Sequence, residues 1–260
     1  MNALTPNSPN NFEQSLLTQD NLLLDYVWDD NPIRNWLKYR LRGGYDCDAS
    51  PLALAAYAKL WPNLEYRSAT KDPADKVQGD TMCSFWTTYK QAIKRWGKEN
   101  PEGARTLQKY GLTGNWGLGQ LSLLLENFEE FEEINKQDAI SKFALNTHTI
   151  GNMIVVPNGM NVARARIGND YWDITLEKFY ANPDGTADPE LSAAFQHMLD
   201  NNNMYLDDWL NGKEVKMLPG HTSETALPQS LKDLIEMVKE INQRIESRTQ
   251  TILEKLENTQ

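Results

Sequence analysis

The sequence predicts a mainly α protein: a helical domain with one short buried strand or small sheet and a long C-terminal amphipathic helix. Apolar residues recur at helical spacing in several segments, which begin with a capping residue or a proline. One short run, MIVV at 153–156, is apolar and β-branched in part and lies between turn-forming residues, as is typical of a buried strand. From residue 227 onward, apolar residues alternate in steps of four and three, which indicates a helix that packs along one face.

The first half of the chain predicts three helices. One covers about 31–43, with a proline at its start and two glycines at its end. The next covers about 51–61, with Ser50 as its N-cap residue. Residues 71–79 are polar and predict a loop, after which helical periodicity returns over 82–96.

The second half predicts further helices around the single strand. A helix over about 120–144 carries glutamates on one face, which indicates a solvated surface. Two more helices follow the strand, over about 172–180 and 189–210. We therefore divide the chain into a flexible N-terminal arm at 1–20, a single mainly helical domain at 21–226 and a C-terminal helix at 227–260, which packs either on the core or on a partner copy.

Composition limits the class of protein. The chain has 260 residues, of which 40% are apolar, so it can bury a sizeable core. The two cysteines, Cys47 and Cys83, form no Cys-x-x-Cys pair, and the first residues do not resemble a signal peptide, so we expect a cytoplasmic protein without a membrane span. The formal charge of -10 is acidic and disfavours nucleic acid as a partner.

Polar side chains concentrate in three segments at element boundaries, where functional groups are commonly displayed. The segments are GDTMCSFW at 79–86, THTIGN at 147–152, and NGMNVARAR at 158–166 with DYWDITLE at 170–177. We expect the first segment and the region around the strand to meet in one cleft. The candidate catalytic residues are His148 and Asp80, and the candidate ligand-binding residues are Thr81, Ser84, Trp86, Asn152, Asn161, Arg164, Trp172 and Asp173.

Several of these candidates also have a structural interpretation. Asp80 fits the N-cap of the following helix as well as a catalytic role. His148 fits a partly buried imidazole that holds a turn as well as a general base. Arg164, with Arg166, fits an ion-pair network with Asp170 and Asp173 as well as an arginine pair that binds an anionic ligand.

Metal and cofactor motifs are weak in this sequence. The three histidines are scattered and form no His-x-x-x-His pair, so we expect no dedicated metal site. The glycines at 111–119 do not have the spacing of a phosphate-binding loop, so we expect no nucleotide cofactor.

The motifs GDTMCSFWTTY at 79–89, HTIGNMIVVPNGMNVAR at 148–164 and DYWDITL at 170–176, with SPLALAAYAKLW at 50–61, resemble a family of uncharacterised bacterial proteins. That resemblance implies no assigned activity. The segment from Gly151 to Asn161 is similar to part of the His-Me finger (HNH-like) nuclease domains, in which a histidine activates water and an Asn or His holds a divalent metal. By that resemblance, His148, Asn152 and Asn161 would form the centre.

Three functions therefore remain open, and whether the protein is an enzyme is one of the open points. The first is a binding or regulatory component, of a defence or mobile-element system, that uses the polar cleft. The second is a metal-dependent HNH-like nuclease or another phosphodiester-cleaving enzyme. The third is a protein that binds a small anionic ligand between Trp86 and Trp172 with Arg164 as the anion-binding group. Partners would be an unknown protein or that anion, with the C-terminal helix available for a homo-oligomer.

Overall fold

A computed structural model describes residues 29–44, 46–65, 76–166, 170–182, 188–222 and 228–258. The arm predicted at 1–20 lies outside these residues. The described chain is mainly helical, as predicted, with small two-stranded sheets and a long C-terminal helix. The helices are α1 Pro32–Leu41, α2 Pro51–Leu60, α3 Phe85–Glu99, α4 Pro101–Lys109, α5 Leu121–Glu126, α6 Glu132–Asn135, α7 Asp138–Asn146, α8 Met160–Arg166, α9 Trp172–Leu176, α10 Pro189–Asn201 and α11 Leu231–Glu257.

The strands form two antiparallel pairs. They are β1 Val77–Thr81, β2 Met153–Pro157, β3 Leu210–Asn211 and β4 Glu214–Val215. β1 pairs with β2, and β3 pairs with β4. Single turns of 3-10 helix lie at Cys47–Ala49, Leu118–Gln120, Phe128–Phe131 and Ile150–Asn152, and a π-helical turn lies at Glu177–Ala181.

The first two helices begin where the sequence predicts. The Asn31 side chain accepts hydrogen bonds from the backbone amides of Ile33 and Arg34, both at 3.0 Å. The Ser50 hydroxyl accepts one from the amide of Ala53 at 3.1 Å. Each cap satisfies donors that the first helical turn leaves unpaired, and the proline that follows it needs no partner.

The helix predicted over about 120–144 is broken into α5, a 3-10 turn, α6 and α7, so that prediction is wrong. Amide side chains compete with the helical hydrogen bonds at the breaks. Asn127 donates to the Leu123 carbonyl at 2.9 Å, and the buried Asn135 donates to the Phe128 carbonyl at 2.7 Å. The glutamates of this region are exposed, as predicted.

The helix predicted over 189–210 ends early, at Asn201. The side chains of Asn201 and Asn202 donate to the carbonyls of His197 and Met198, at 2.7 and 2.9 Å. These bonds satisfy carbonyls of the last turn and so favour an end to the helix. The chain then enters the β3–β4 hairpin.

β1 lies where the sequence predicts the end of a loop followed by an N-cap, so that prediction is wrong. It pairs with β2 with Asp80 opposite Ile154. The cap of α3 is Ser84, whose hydroxyl accepts from the amide of Thr87 at 3.3 Å. Asp80 is therefore a strand residue, and its interpretation as an N-cap is wrong.

α11 packs its apolar face on the chain's own core, against α7, the turn at Ile150–Asn152, α3 and α2. Leu234, Val238, Ile241, Ile245 and Ile252 are buried, as their spacing predicts. Arg248 interrupts this spacing and is also buried. Its Nη1 donates to the carbonyls of Ile150, Gly151 and Met153, so a guanidinium joins α11 to the start of β2.

None of the described helices combines the length and the apolar character that crossing a membrane requires.

Candidate functional site

A cavity of about 170 Å³ lies where α1, the turn after it, β1, α3 and α8 meet. Its lining combines polar and aromatic side chains. The lining residues are Trp36, Arg40, Asp46, Asp48, Asp80, Thr81, Ser84, Phe85, Trp86, Thr147, Asn161, Arg164, Ala165 and Asp170. The segment after Gly79 and the segments that flank the β2 strand thus share one cavity.

Strand pairing brings these segments together. β1 and β2 run antiparallel over five residue pairs, from Val77–Pro157 to Thr81–Met153. Beyond the last pair, the Asn152 side chain continues the connection: it accepts from the Cys83 amide at 3.0 Å and donates to the Cys83 carbonyl at 3.1 Å. A third bond, to the Thr147 carbonyl at 3.1 Å, uses its remaining amide hydrogen.

Arg164 of α8 is the buried cation of the site. Its Nη1 donates to the Asp80 carboxylate at 2.6 Å and to the Thr81 carbonyl at 3.0 Å. Its Nη2 donates to the Met82 carbonyl at 3.0 Å and its Nε to the Thr175 hydroxyl at 2.9 Å. Four of the five N–H groups of a guanidinium are therefore used inside the fold.

This geometry supports an ion-pair role for Arg164. The partner is Asp80, not the Asp170 and Asp173 that the sequence suggests, and both side chains are buried. A role as a clamp for an anionic ligand has less support, because four of the five donors already bind the protein. The Trp172 ring packs against the guanidinium at 5.3 Å and fixes it further.

The cavity lining is acidic. Four carboxylates, of Asp46, Asp48, Asp80 and Asp170, face the two guanidinium groups of Arg40 and Arg164. Arg40 lies 3.4 Å from Asp46, and Arg164 is paired with Asp80. Two carboxylates therefore have no cation of their own among the lining residues.

The excess of carboxylates over cations affects Asp48 most. Burial raises the pKa of Asp48 to about 7, and the neighbouring carboxylates of Asp46 and Asp80 add to the rise. Burial also raises the pKa of Asp46, against the opposing effect of Arg40. Because the Asp46 side chain is 51% exposed, solvent weakens the rise of its pKa. The rise is therefore larger at Asp48.

Aromatic side chains form a second part of the lining, here called the aromatic wall. Trp36 and Trp86 are stacked with their ring centres 6.0 Å apart, and Phe85 meets Trp36 edge-on at 4.9 Å. The Arg40 guanidinium lies 5.6 Å from the centre of the Trp36 ring, so this wall already holds one cation over an aromatic face.

Six of the ten candidate residues line the cavity: Asp80, Thr81, Ser84, Trp86, Asn161 and Arg164. The other four, His148, Asn152, Trp172 and Asp173, are buried outside it. Their neighbours explain why. Asp173 accepts from the Leu218 amide at 2.9 Å and lies 2.7 Å from Nδ1 of His221, so its carboxylate anchors the loop before α11.

His148 lies in the protein interior, with its ring edge-on to Tyr39 at 5.3 Å. Burial lowers the pKa of His148 to about 3, with a smaller contribution from the Arg40 charge. The imidazole therefore stays neutral at physiological pH. Because His148 does not line the cavity, it cannot exchange protons with a ligand there. Its position therefore supports the structural interpretation.

Of the four lining carboxylates, the sequence analysis predicted only Asp80 as a site residue. Asp170 lies in one of the polar segments, whereas Asp46 and Asp48 lie outside them. Asp46 and Asp48 flank the buried Cys47 in a 3-10 turn, whose place over β1 depends on Gly79. A Cβ atom at Gly79 would lie 2.1 Å from the Asp48 carbonyl oxygen. The pattern DCD between two helices is a usable signal, but its position over the strand depends on β1, whose polar residues predict a loop.

The described part of the chain contains no group of three or more His, Cys, Asp or Glu side chains that could hold a metal ion. Comparisons of the sequence with protein-family models and with curated proteins, and of the structure with solved structures, found no match.

Proposed function

We propose that this chain is a binding or regulatory protein and that its cavity takes a small organic cation, such as a protonated amine. One observation carries the proposal: an excess of carboxylates and a stacked pair of tryptophans line one cavity. Carboxylates attract a cation, and aromatic faces bind one through the ring quadrupole.

The electrostatics support a cation rather than an anion. A ligand with a positive charge would stand near Asp48, which shares no ion pair with the lining arginines. Its charge would stabilise the ionised carboxylate and offset the repulsion from Asp46 and Asp80. An anion in the same place would meet the same carboxylates without a free guanidinium to compensate.

The aromatic wall supports an organic cation rather than a bare metal ion. Trp86, the partly exposed ring of the stacked pair, favours an alkylammonium group because it buries the methylene or methyl surface as well as the charge. Within the described residues, the lining carboxylates do not form a metal-holding group.

The nuclease alternative has less support. His148, its proposed water-activating base, is buried outside the cavity lining, and every polar atom of the Asn152 side chain bonds to backbone. Only Asn161 of that set lines the cavity. The cytoplasmic location and the role in a defence or mobile-element system stay predictions, which the neighbouring genes would test.

A thermal-unfolding screen tests the proposal. Ethanolamine, putrescine and choline are compared with sodium acetate at equal ionic strength and pH 8. We expect at least one amine to raise Tm, the effect to be lost in Asp48→Asn, and the effect to persist in the matched control Asp207→Asn, which changes an exposed carboxylate away from the cavity. The proposal fails if acetate acts as strongly as the amines, or if Asp48→Asn responds like the wild type.

A further inference from the structure

A second charged surface lies on α3, away from the acidic cavity. Lys90, Lys94 and Lys98 follow one another at intervals of four residues, so they share one face of the helix. Lys94 and Lys98, with Arg95, line a groove of about 410 Å³ between α3, α4 and the loop at 112–114.

These lysines differ from the surface lysines that form ion pairs. Lys109 is paired with Glu130 at 2.8 Å, and Lys142 with Glu246 at 2.9 Å. Within the residues that the structure describes, no carboxylate lies within 4 Å of the ammonium groups of Lys90, Lys94 or Lys98.

The acidic residue at the end of the same helix does not compensate them. The Glu99 carboxylate accepts a hydrogen bond from the Leu231 amide at 2.8 Å, so it is held at the start of α11. Burial lowers the pKa of Lys94. The neighbouring charges that lower it further are all positive and belong to Lys90, Arg95 and Lys98.

Arg95 is the buried cation of the groove lining. Its Nε donates to the Pro228 carbonyl at 2.9 Å and its Nη1 to the Gln91 side chain at 2.9 Å. These two bonds hold the guanidinium in place, and the ammonium groups of Lys94 and Lys98 supply further donors one helical turn apart.

We propose that this groove binds a compact anion with two or more negative charges, of the kind carried by a pyrophosphate group or a tricarboxylate. Side chains four residues apart on a helix stand about 6 Å apart at Cβ, so one such anion can reach both ammonium groups. It would offset a repulsion that costs the free protein stability.

The rest of the molecule favours a small anion over a long one. The formal charge of the chain is -10, so a nucleic acid or a long acidic segment would meet repulsion beyond the groove. A compact anion interacts mainly with the local lysines. Leu107 and Leu112 line the same groove and exclude water from one side of it, which strengthens the attraction.

The test titrates the wild-type protein with sodium pyrophosphate and, separately, with sodium citrate at constant ionic strength, and follows binding heat and Tm. We expect one or both anions to bind and to raise Tm. In the double variant Lys94→Gln/Lys98→Gln, we expect Kd to rise by at least about tenfold. The matched control is Lys232→Gln, an exposed lysine on α11.

The outcomes separate the ligand classes. Binding by pyrophosphate alone assigns the groove to phosphates, and binding by citrate alone assigns it to carboxylates. The free double variant should unfold at the same temperature as the wild type or at a higher one, because the lysine repulsion is relieved, so a loss of binding does not reflect unfolding. The inference is overturned if neither anion stabilises the wild type more than sodium chloride does, or if the double variant binds as tightly.

Discussion

Single side chains set the character of the site, and Arg164 is the clearest case. A guanidinium with four internal hydrogen bonds, one of them to a carboxylate, joins β1, the turn before α3 and α9 around one buried charge. Breaking a buried pair by removing one partner leaves a charge without compensation, which is strongly destabilising.

We therefore expect Arg164→Ala to lower the free energy of unfolding by about 3–5 kcal/mol. The exposed Arg105→Ala should change it by less than about 0.5 kcal/mol. Urea unfolding of both variants measures the difference. If the two variants proved equally stable, the buried pair with Asp80 would not hold the site together.

Asp48 gives a prediction about pH. Its pKa is raised to about 7 in the folded protein from an ordinary value of 3.8, so the folded state binds the proton more tightly than the unfolded state does. This carboxylate therefore costs stability as pH rises from about 4 to about 7, and the full cost remains above that range.

Asp48→Asn removes that cost. The variant should be more stable than the wild type by about 1–2 kcal/mol at pH 8, a value reduced for partial exposure of the carboxylate, and the gain should shrink towards zero at pH 4. Urea unfolding across this range measures it. A gain that is the same at pH 5 and pH 8 would mean that Asp48 does not titrate in the folded protein.

At the scale of helices and strands, the sequence predicts some elements and not others. Local signals place helices well: the caps at Asn31 and Ser50 and the apolar spacing of α11 all predict what the structure has. β1 was missed because its residues, VQGDT, are mostly polar, and a two-stranded pair buries only part of such a strand. Its partner β2 is apolar and fully buried, so its sequence alone indicates a strand.

The same contrast explains the candidate site. Asp80 and Arg164 were found because they lie in motifs with unusual polar content. Asp46 and Asp48 were missed because only the packing of their turn over Gly79 brings them to the cavity, and such packing has no local pattern.

Gly79→Ala tests that packing. A Cβ at this position would overlap the Asp48 carbonyl, which is backbone and cannot rotate away. We expect a loss of about 1–3 kcal/mol in unfolding free energy and a weaker amine response. Gly119→Ala is the matched control, since a Cβ there meets nothing within 4 Å. Equal Tm values for the two variants would contradict the close contact.

The contacts between α11 and the rest of the fold give a second test of how the elements pack. Arg248 is buried and donates to carbonyls at the start of β2 and to that of Met204. Replacing it with methionine leaves these buried acceptors unpaired, so we expect a loss of at least about 2 kcal/mol. Urea unfolding measures it, with the exposed Gln250→Met on the same helix as control. A loss no larger than that of Gln250→Met would show that these bonds are dispensable.

The protein as a whole combines a strongly acidic chain with two local charge arrangements of opposite sign. The cavity at α1, β1 and α8 concentrates carboxylates beside tryptophans, and the groove on α3 concentrates lysines. These two sites share no lining residues, so a ligand at one does not contact the other directly. The acidic average field favours the approach of a cation to the cavity and limits the groove to compact anions.

Proton release on ligand binding is the decisive measurement. Putrescine, choline and ethanolamine are titrated into the wild-type protein at pH 7 by calorimetry, in two buffers that differ in ionisation enthalpy. Because Asp48 is about half protonated at that pH, a bound cation should lower its pKa and release a fraction of a proton, so the apparent binding enthalpy should differ between the buffers. Failure of all three amines to bind, or binding with the same enthalpy in both buffers, would contradict a cation-binding cavity built around Asp48.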